Sequence, residues 1–509
     1  MPAQQADERT RLLRHNSPIN SRNERASNGR PNGNTNRNSD DDDEDDAELV
    51  QFEEGDNENP RNWSLFWKYI QVFLVFIVGL ILPMASSIWS PGISEIASDY
   101  NTNNQLVTGS QTGFVCMLGI GPLFFAPMSE TFGRRIVFLV NLTLFTLFQI
   151  PTALAPNIET FVVMRTLGGL FGSVGVANGG GSISDMFETH ERATVLGFCL
   201  LGPLLGPTLG PFLGGIILAR FHWRWVFGFT CVISAVVTFT CFFLLHETCA
   251  PIILEQRKKK LQNENEGKSF KVEGQSDMGL MQKIGGNSTR ATKILFQQPI
   301  VLVMSAYQAL VFSTLYSLYT DYSKIWSSPP YNFSKSQVGL SYLAPATGFV
   351  LTACIIVPFI DRVYNRLAQT HNNGKGKPEY RLPLANIGAV FLPVSLFWFS
   401  WTVEYGKPWP VALSAMLLFG ASQVSIFNCV QNYYIDAFES MAASALAAGA
   451  FLRSIVGGVV PLFTPMLIEQ VGYGWGLSVF GIVATVLMPA PLLFFRYGAR
   501  LRERFAVNL

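Results

Sequence analysis

The chain has 509 residues, of which 49% are hydrophobic and only 14% charged, more apolar side chain than a soluble protein of this length can hide. A formal net charge of +1 excludes the massed basic footprint of a nucleic-acid binder. The seven cysteines sit in or beside apolar runs without zinc or redox spacing, and the five histidines are scattered, so no metal, cofactor or catalytic constellation is expected and an enzyme is disfavoured.

Residues 1–67 open the chain as a polar tail, acidic from Asp40 to Glu48 and too poor in apolar side chains to offset the entropy of ordering, so a disordered cytoplasmic tail is expected. In it Glu8, Leu12 and Leu13 have the spacing of an acidic dileucine sorting signal, which would favour a vacuolar or endosomal membrane; a chance match leaves the plasma membrane as the address. The first apolar run, residues 68–89, has the length of a membrane-crossing helix, and no cleavable signal precedes it. Further runs fall near 105–127, 136–155, 158–179, 194–218, 224–245, 299–320, 337–359, 383–402, 410–431, 442–467 and 475–496. They predict about twelve spanning helices. A polar loop, 246–297, separates a bundle at 68–245 from a second at 298–497, with a short tail at 498–509. The fold class read from this is an all-α integral membrane protein of two six-helix bundles related by a pseudo-two-fold axis. Lys and Arg concentrate in the loops that place both termini in the cytoplasm. The sequon at Asn332 then lies in an outward loop and is the one plausible glycosylation acceptor.

Between the second and third spans, the stretch from Gly121 to Arg135 is a short connection in which Gly133 supplies backbone freedom and Arg134 and Arg135 anchor the inner interface. Glu130 is expected to meet a helix N-terminus or a guanidinium, a contact made in one conformer and broken in another. Topology-setting alone accounts for the same residues. Asp361 and Arg362, with Arg366, repeat the pattern weakly in the second half. Asp185, at the inner end of the fourth span, reads as a gate or capping residue. Arg165 lies well inside that span, where a charge is costly unless paired or hydrated, which marks it for function; bonding to carbonyls near the helix start is the alternative.

In the fifth span Gly202, Gly206, Gly210 and Gly214 recur every four residues, with Gly215 beside them, so one helix face allows close contact. Pro203, Pro207 and Pro211 line the adjacent stripe and remove backbone hydrogen bonds, which lets the helix bend. Polar and aromatic side chains interrupt later spans at Tyr307, Gln308, Phe312 and Tyr316, at Gln423, Asn428, Gln431 and Asn432, and at Arg453. They are candidates for a central substrate cavity, with ordinary inter-helix hydrogen bonding as the competing account. No acidic residue stands clearly at mid-membrane, so a proton-carrying carboxylate is unassigned.

The loop ending in Gly133, Arg134 and Arg135 resembles the signature loop of the major facilitator superfamily, with Thr131 where that family carries its first basic residue. The glycine–proline run of the fifth span is similar to the antiporter motif of that superfamily's exporting branch. Asn59-Pro60-Arg61-Asn62-Trp63, Glu247-Thr248-Cys249-Ala250-Pro251, Ala443-Ser444-Ala445-Leu446 and Leu452-Arg453-Ser454 together resemble the fungal twelve-spanner drug:proton antiporters. The resemblance implies alternating access and export of small organic compounds, whether drugs, toxins or metabolites, driven by protons moving inward. It further implies a monomer in the lipid bilayer, a proton gradient rather than a cofactor, and a role in proton coupling for Arg165. An uptake symporter or facilitator would share the fold, and a transporter-like receptor would need longer cytoplasmic extensions than the acidic tail.

Overall fold

The computed structural model describes residues 48–264, 270–272, 280–372, 375–438 and 442–505. Glu8, Leu12 and Leu13 lie outside the described residues. In the first half the spanning helices are α1 (Leu65–Ser87), α2 (Asn104–Phe132), α3 (Arg134–Ala153), α4 (Ile158–Gly172 continued by Val174–Met186), α5 (Leu201–Leu218) and α6 (Arg224–Leu244). In the second they are α7 (Pro299–Ser327), α8 (Leu343–Asn372), α9 (Ala385–Glu404), α10 (Trp409–Ala437), α11 (residues 442–471) and α12 (residues 473–487, continued by Ala490–Arg504).

Among the described residues eleven helical stretches are long and apolar enough to cross a membrane, and the longest, Ser444–Arg504, contains both α11 and α12. The chain reverses there at Gly472, whose φ of 80° and ψ of 171° suit a residue without a Cβ. The Gly474 N–H just beyond donates to Glu404 Oε2 at 2.9 Å, which holds the corner against the end of α9. Divided at that corner, the eleven stretches make twelve helices of spanning length among the described residues.

Helices α1, α5 and α7 are central, with 72%, 78% and 83% of their most apolar window buried, whereas the corresponding share in α6 is 28%. Large apolar side chains such as Phe239, Phe242 and Phe243 on α6 and Val479, Ile482 and Val486 on α12 are exposed. That is the distribution expected where the surrounding solvent is hydrocarbon.

The α5 glycines set the central packing. A Cβ on Gly202 or Gly210 would come within 2.7 Å of the Phe76 and Met84 carbonyl oxygens of α1, and Gly206 and Gly214 face those of Leu80 and Ile88 just as closely. Backbone thus lies against backbone along the seam, and Ser87 adds a 2.6 Å hydrogen bond to the Pro207 carbonyl. Gly215 instead faces the second bundle, where its Cβ would stand 3.0 Å from Gly339.

One end of the molecule, the tail end, gathers the chain entry, the central loop and the end of α12. The loop includes helices Ala250–Glu264 and Leu280–Gln297 and a strand, β2 (Phe270–Val272). β2 pairs in parallel with β1 (Glu48–Val50), in the register Leu49 opposite Lys271. The expectation of disorder up to residue 67 is corrected here for residues 48–67. Val50 is buried with Phe270 and Val272, and Asp56 Oδ2 accepts from Arg257 Nη1 at 2.5 Å, so apolar and ionic partners from the central loop hold this segment in place.

Candidate functional site between the two bundles

At the tail end, α3 begins at Gly133, whose φ of 104° lies where a side chain is strained. The turn aims the first N–H groups of α3 at a carboxylate that follows the end of α6, the helix packed against α3. Arg134 N–H donates to Glu247 Oε1 at 2.9 Å and Arg135 N–H to Oε2 at 3.1 Å. The Thr248 and Cys249 N–H groups also donate to Oε1, at 3.0 and 2.9 Å. A negative charge is stabilised at a helix start by these free donors and by the helix dipole. Of the two partners expected for Glu130, the helix N-terminus is taken by Glu247 instead, while Glu130, with a side chain 52% exposed, faces the Arg134 guanidinium at 3.9 Å from Nη2.

The Arg134 guanidinium donates to Ser129 Oγ at 2.7 Å and to Asp185 Oδ2 at 3.3 Å, and Thr248 Oγ1 donates to the same Asp185 oxygen at 3.2 Å. Gly181 makes the space, since a Cβ there would lie 2.6 Å from Arg134 Cζ. Arg135 turns outward and donates to the Phe242 carbonyl at 2.9 Å.

The second bundle repeats this arrangement on different residues. Arg381, just before α9, donates through Nε to Asp436 at 2.6 Å and through Nη1 to Asp361 at 2.5 Å, and its Cζ lies 3.9 Å over the Tyr364 ring. Burial works against its charge, but Asp436 and Asp361 outweigh that and hold its pKa above the usual arginine value. The expected partner, Arg362, is exposed and stacks on Phe359 at 5.1 Å, so it takes no part in the network. Two contacts then cross between bundles: Arg192 Nη2 to Asp436 Oδ1 at 3.7 Å, and the Thr194 hydroxyl to Asp361. Arg192, Thr194, Arg381 and Asp436 were not candidates from the sequence. Only the placing of acids and bases at the ends of spans hinted at them.

At the far end the bundles meet directly. Lys335 Nζ lies 2.9 Å from Glu95 Oε2, and Thr112 on α2 donates to the Gly458 carbonyl on α11 at 2.7 Å. Asn332 is exposed at this end, in the loop after α7.

Between these two closures lies a cavity of about 320 Å³, walled by α1, α2, α4 and α5 on one side and by α10 and α11 on the other. Glu130, Arg134, Arg192 and Arg290 stand on its lining towards the tail end, and Phe427, Gln431 and Arg453 line it deeper in. The Arg453 Cζ lies 5.1 Å from the Phe312 ring and 5.0 Å from the Phe427 ring, while its Nε and Nη1 have no hydrogen-bond partner among the described residues. The Gln431 side-chain oxygen is also unbonded.

Of the nine cavity candidates, Gln431 and Arg453 are on this lining and Phe312 reaches it through the Arg453 guanidinium. The other six pack between or along helices. Tyr316 meets Ser86 of α1 at 3.2 Å, Gln423 donates to the Val311 carbonyl at 3.2 Å, and Asn428 donates to Val424 of its own helix at 3.2 Å. Asn432 likewise donates to the Asn428 carbonyl, and Tyr307 and Gln308 are buried with polar atoms left unbonded. Tyr319, which was not a candidate, bridges the bundles through a 2.6 Å hydrogen bond with Thr208.

Arg165 stands apart from the cavity. It donates to the Ala85 carbonyl at 3.3 Å and to the Ser86 carbonyl at 3.1 Å, and its Cζ lies 5.1 to 5.7 Å from the rings of Trp89, Phe114, Phe161 and Phe227. Ala85 and Ser86 belong to the last turn of α1, where carbonyls lose their intrahelical partners. The guanidinium completes that helix end. A further residue absent from the sequence reading is Asp321 of α7, which is 5% exposed with Oδ2 unbonded, near Lys324, Glu469 and Tyr473.

Two bundles around a central cavity, with contacts at both ends, define a membrane transporter architecture. The sequence model of the Major Facilitator Superfamily matches residues 75–461, and the chain belongs to that family. It is 36% identical to "Efflux pump radE" of Floropilus chiversii over 89% of this chain and 85% of that one. It is 35% identical to "MFS-type transporter penM" of Penicillium rubens over 89% of each. Among solved structures the proton:xylose symporter XylE of E. coli superposes with a TM-score of 0.62 at 16% identity, covering 86% of this chain and 96% of that one, a likeness of fold.

Proposed function

We propose that this transporter exports small organic compounds from the cytoplasm in exchange for protons, by alternating access. The observation that carries the reading is the cavity between the bundles, which runs from Arg453 to the arginines of the tail end while direct contacts join the bundles at the far end. With the tail end on the cytoplasmic side, cargo enters between the Arg192–Asp436 and Thr194–Asp361 links. Rocking of the bundles breaks Lys335–Glu95 and opens the other face. The name of the efflux pump relative and the α1–α5 glycine seam favour export over uptake. No cofactor is needed, since the proton gradient drives the cycle.

Asp321 is the carboxylate we assign to proton carriage, because it is buried inside a span with an oxygen unbonded, where an ionised group would be costly. Arg165 acts with it by fixing the end of α1 against α4. The protein works as a monomer in the plasma membrane, with both termini in the cytoplasm and Asn332 exposed for glycosylation. The dileucine-like segment at Glu8, Leu12 and Leu13 would redirect it to the vacuole.

The test is transport by the full chain in sealed vesicles under an imposed pH gradient. Labelled organic compounds should move against the direction of proton flow, and Asp321→Asn should abolish the response to the gradient while leaving exchange of cargo in place. Cargo moving with the protons would make the protein a symporter, and indifference to the gradient a facilitator.

A further inference from the structure

The cavity carries a charge pattern that export alone does not explain. Arg453 is 3% exposed, has two guanidinium nitrogens unbonded and has no ion-pair partner among the described residues. A desolvated cation left in that state is costly and is retained where a ligand completes it. Nearer the tail end, Arg134, Arg192 and Arg290 stand on the same lining, where Glu130 is the one carboxylate among the described residues. Arg134 and Arg192 are neutralised by Asp185 and Asp436. Arg453 has aromatic rings instead, Phe312 and Phe427, which shield the flat face of the guanidinium and leave its N–H edge as the polar feature.

We infer, on the reading that this cavity holds the cargo, that the cargo is an organic anion, an apolar body bearing one ionised carboxylate or similar acid. The acid pairs with the N–H edge of Arg453, a fork that matches a carboxylate in two parallel hydrogen bonds. The apolar body lies against Phe427 and Leu200 of the lining, and the unbonded oxygen of Gln431 accepts from a hydroxyl or amide of the cargo. An amine of the same shape meets the Arg453 cation with no carboxylate paired to it among the described residues and is rejected.

Binding to the intact protein in nanodiscs, measured by calorimetry at neutral pH without any gradient, tests this. The probes are aryl, alkyl and fused-ring carboxylates, phenylbutyrate among them, each with its matched amide and amine, and inorganic phosphate. The acids should bind about tenfold or more tighter than their amides, the worth of one charge-assisted hydrogen-bond pair, and the amines weakest of all. R453Q should bring acid and amide to equal affinity, and R453K should keep part of the preference.

Equal binding of acid and amide to the wild type, tighter binding of amines, failure of every acid to bind, or a preference that survives R453Q overturns the inference. Phosphate binding as tightly as the organic acids assigns the site to a bare anion and overturns it too. Should R453Q fail to fold, the ranking on the wild type and R453K decides. Because no gradient is applied, a failure here leaves proton exchange untouched, and a failure of proton exchange leaves this ranking untouched.

Discussion

Arg165 and Arg453 are the same side chain at the same burial, 3% exposed, one in each bundle, and their surroundings differ. Arg165 donates to two backbone carbonyls at the end of α1 and sits among four aromatic rings. Arg453 has two rings, an empty hydrogen-bonding edge and a cavity in front of it. The first charge is held by the fold through Nη1 and Nη2, with only Nε unbonded among the described residues, so it serves the fold. The second is left for something that comes and goes.

That contrast is broken or upheld most directly by removing each charge. Arg165→Ala strips the α1 carbonyls of their donors and should cost about 3 kcal/mol or more, read as a large fall in thermal unfolding temperature in detergent. Arg453→Leu removes a charge with no ion-pair partner among the described residues and should leave stability within about 1 kcal/mol of the wild type, or raise it. Equal losses in the two variants would erase the distinction between them.

A smaller effect is expected where the arginine is buried but ion-paired. Arg381 separates Asp361 from Asp436, and both acids also hold residues of the first bundle. Arg381→Gln leaves two carboxylates facing each other without a cation between them, and should cost about 2 kcal/mol and shorten the time the tail end stays closed. Arg362→Gln, one residue from Asp361 in sequence, should change neither, because its guanidinium is exposed over Phe359. Cysteine pairs placed across the tail end, followed by cross-linking rate, would separate the two variants; equal rates would return Arg362 to the gate.

The same series shows what could be read from the sequence and what could not. The spans were legible because a helix in hydrocarbon satisfies its own backbone, so length and apolarity alone reveal it. The α5 seam was legible because glycines four apart share a face whatever packs against them. Glu247 was not recognised as the cap of α3, since its partners at Arg134 and Arg135 lie more than a hundred residues away and only closure of the first bundle brings them together. Adjacency in sequence pointed to Arg362, whereas the bundle places Arg381, at the start of the next span, beside Asp361. For the cavity candidates, the residue types were visible but the rotation of each helix was not. Gln431 faces the space while Gln423, two turns earlier on α10, faces the Val311 carbonyl of α7.

Outside the spanning helices stands Arg257, partly exposed, which pairs with Asp56 and ties the chain entry to the central loop. The Glu58 N–H, acting with the Arg257 guanidinium and against a smaller effect of burial, holds the Asp56 carboxyl below the usual carboxylate value. The detached strap therefore binds more protons than the docked one, and docking strengthens as pH rises through the acid range. The contribution of the pair is complete above the ordinary carboxylate pKa and is lost as pH falls through the lowered value of the docked state. Being near the surface, it should amount to less than about 1 kcal/mol and shrink further in high salt. Amide exchange of β1 and β2, followed against pH, should accelerate only in strong acid, and Asp56→Asn should bring the faster exchange to neutral pH. If Asp56→Asn exchanged like the wild type at neutral pH, the strap would be held by Val50, Phe270 and Val272 alone, and Arg257 would be an arginine that neither the fold nor a ligand requires.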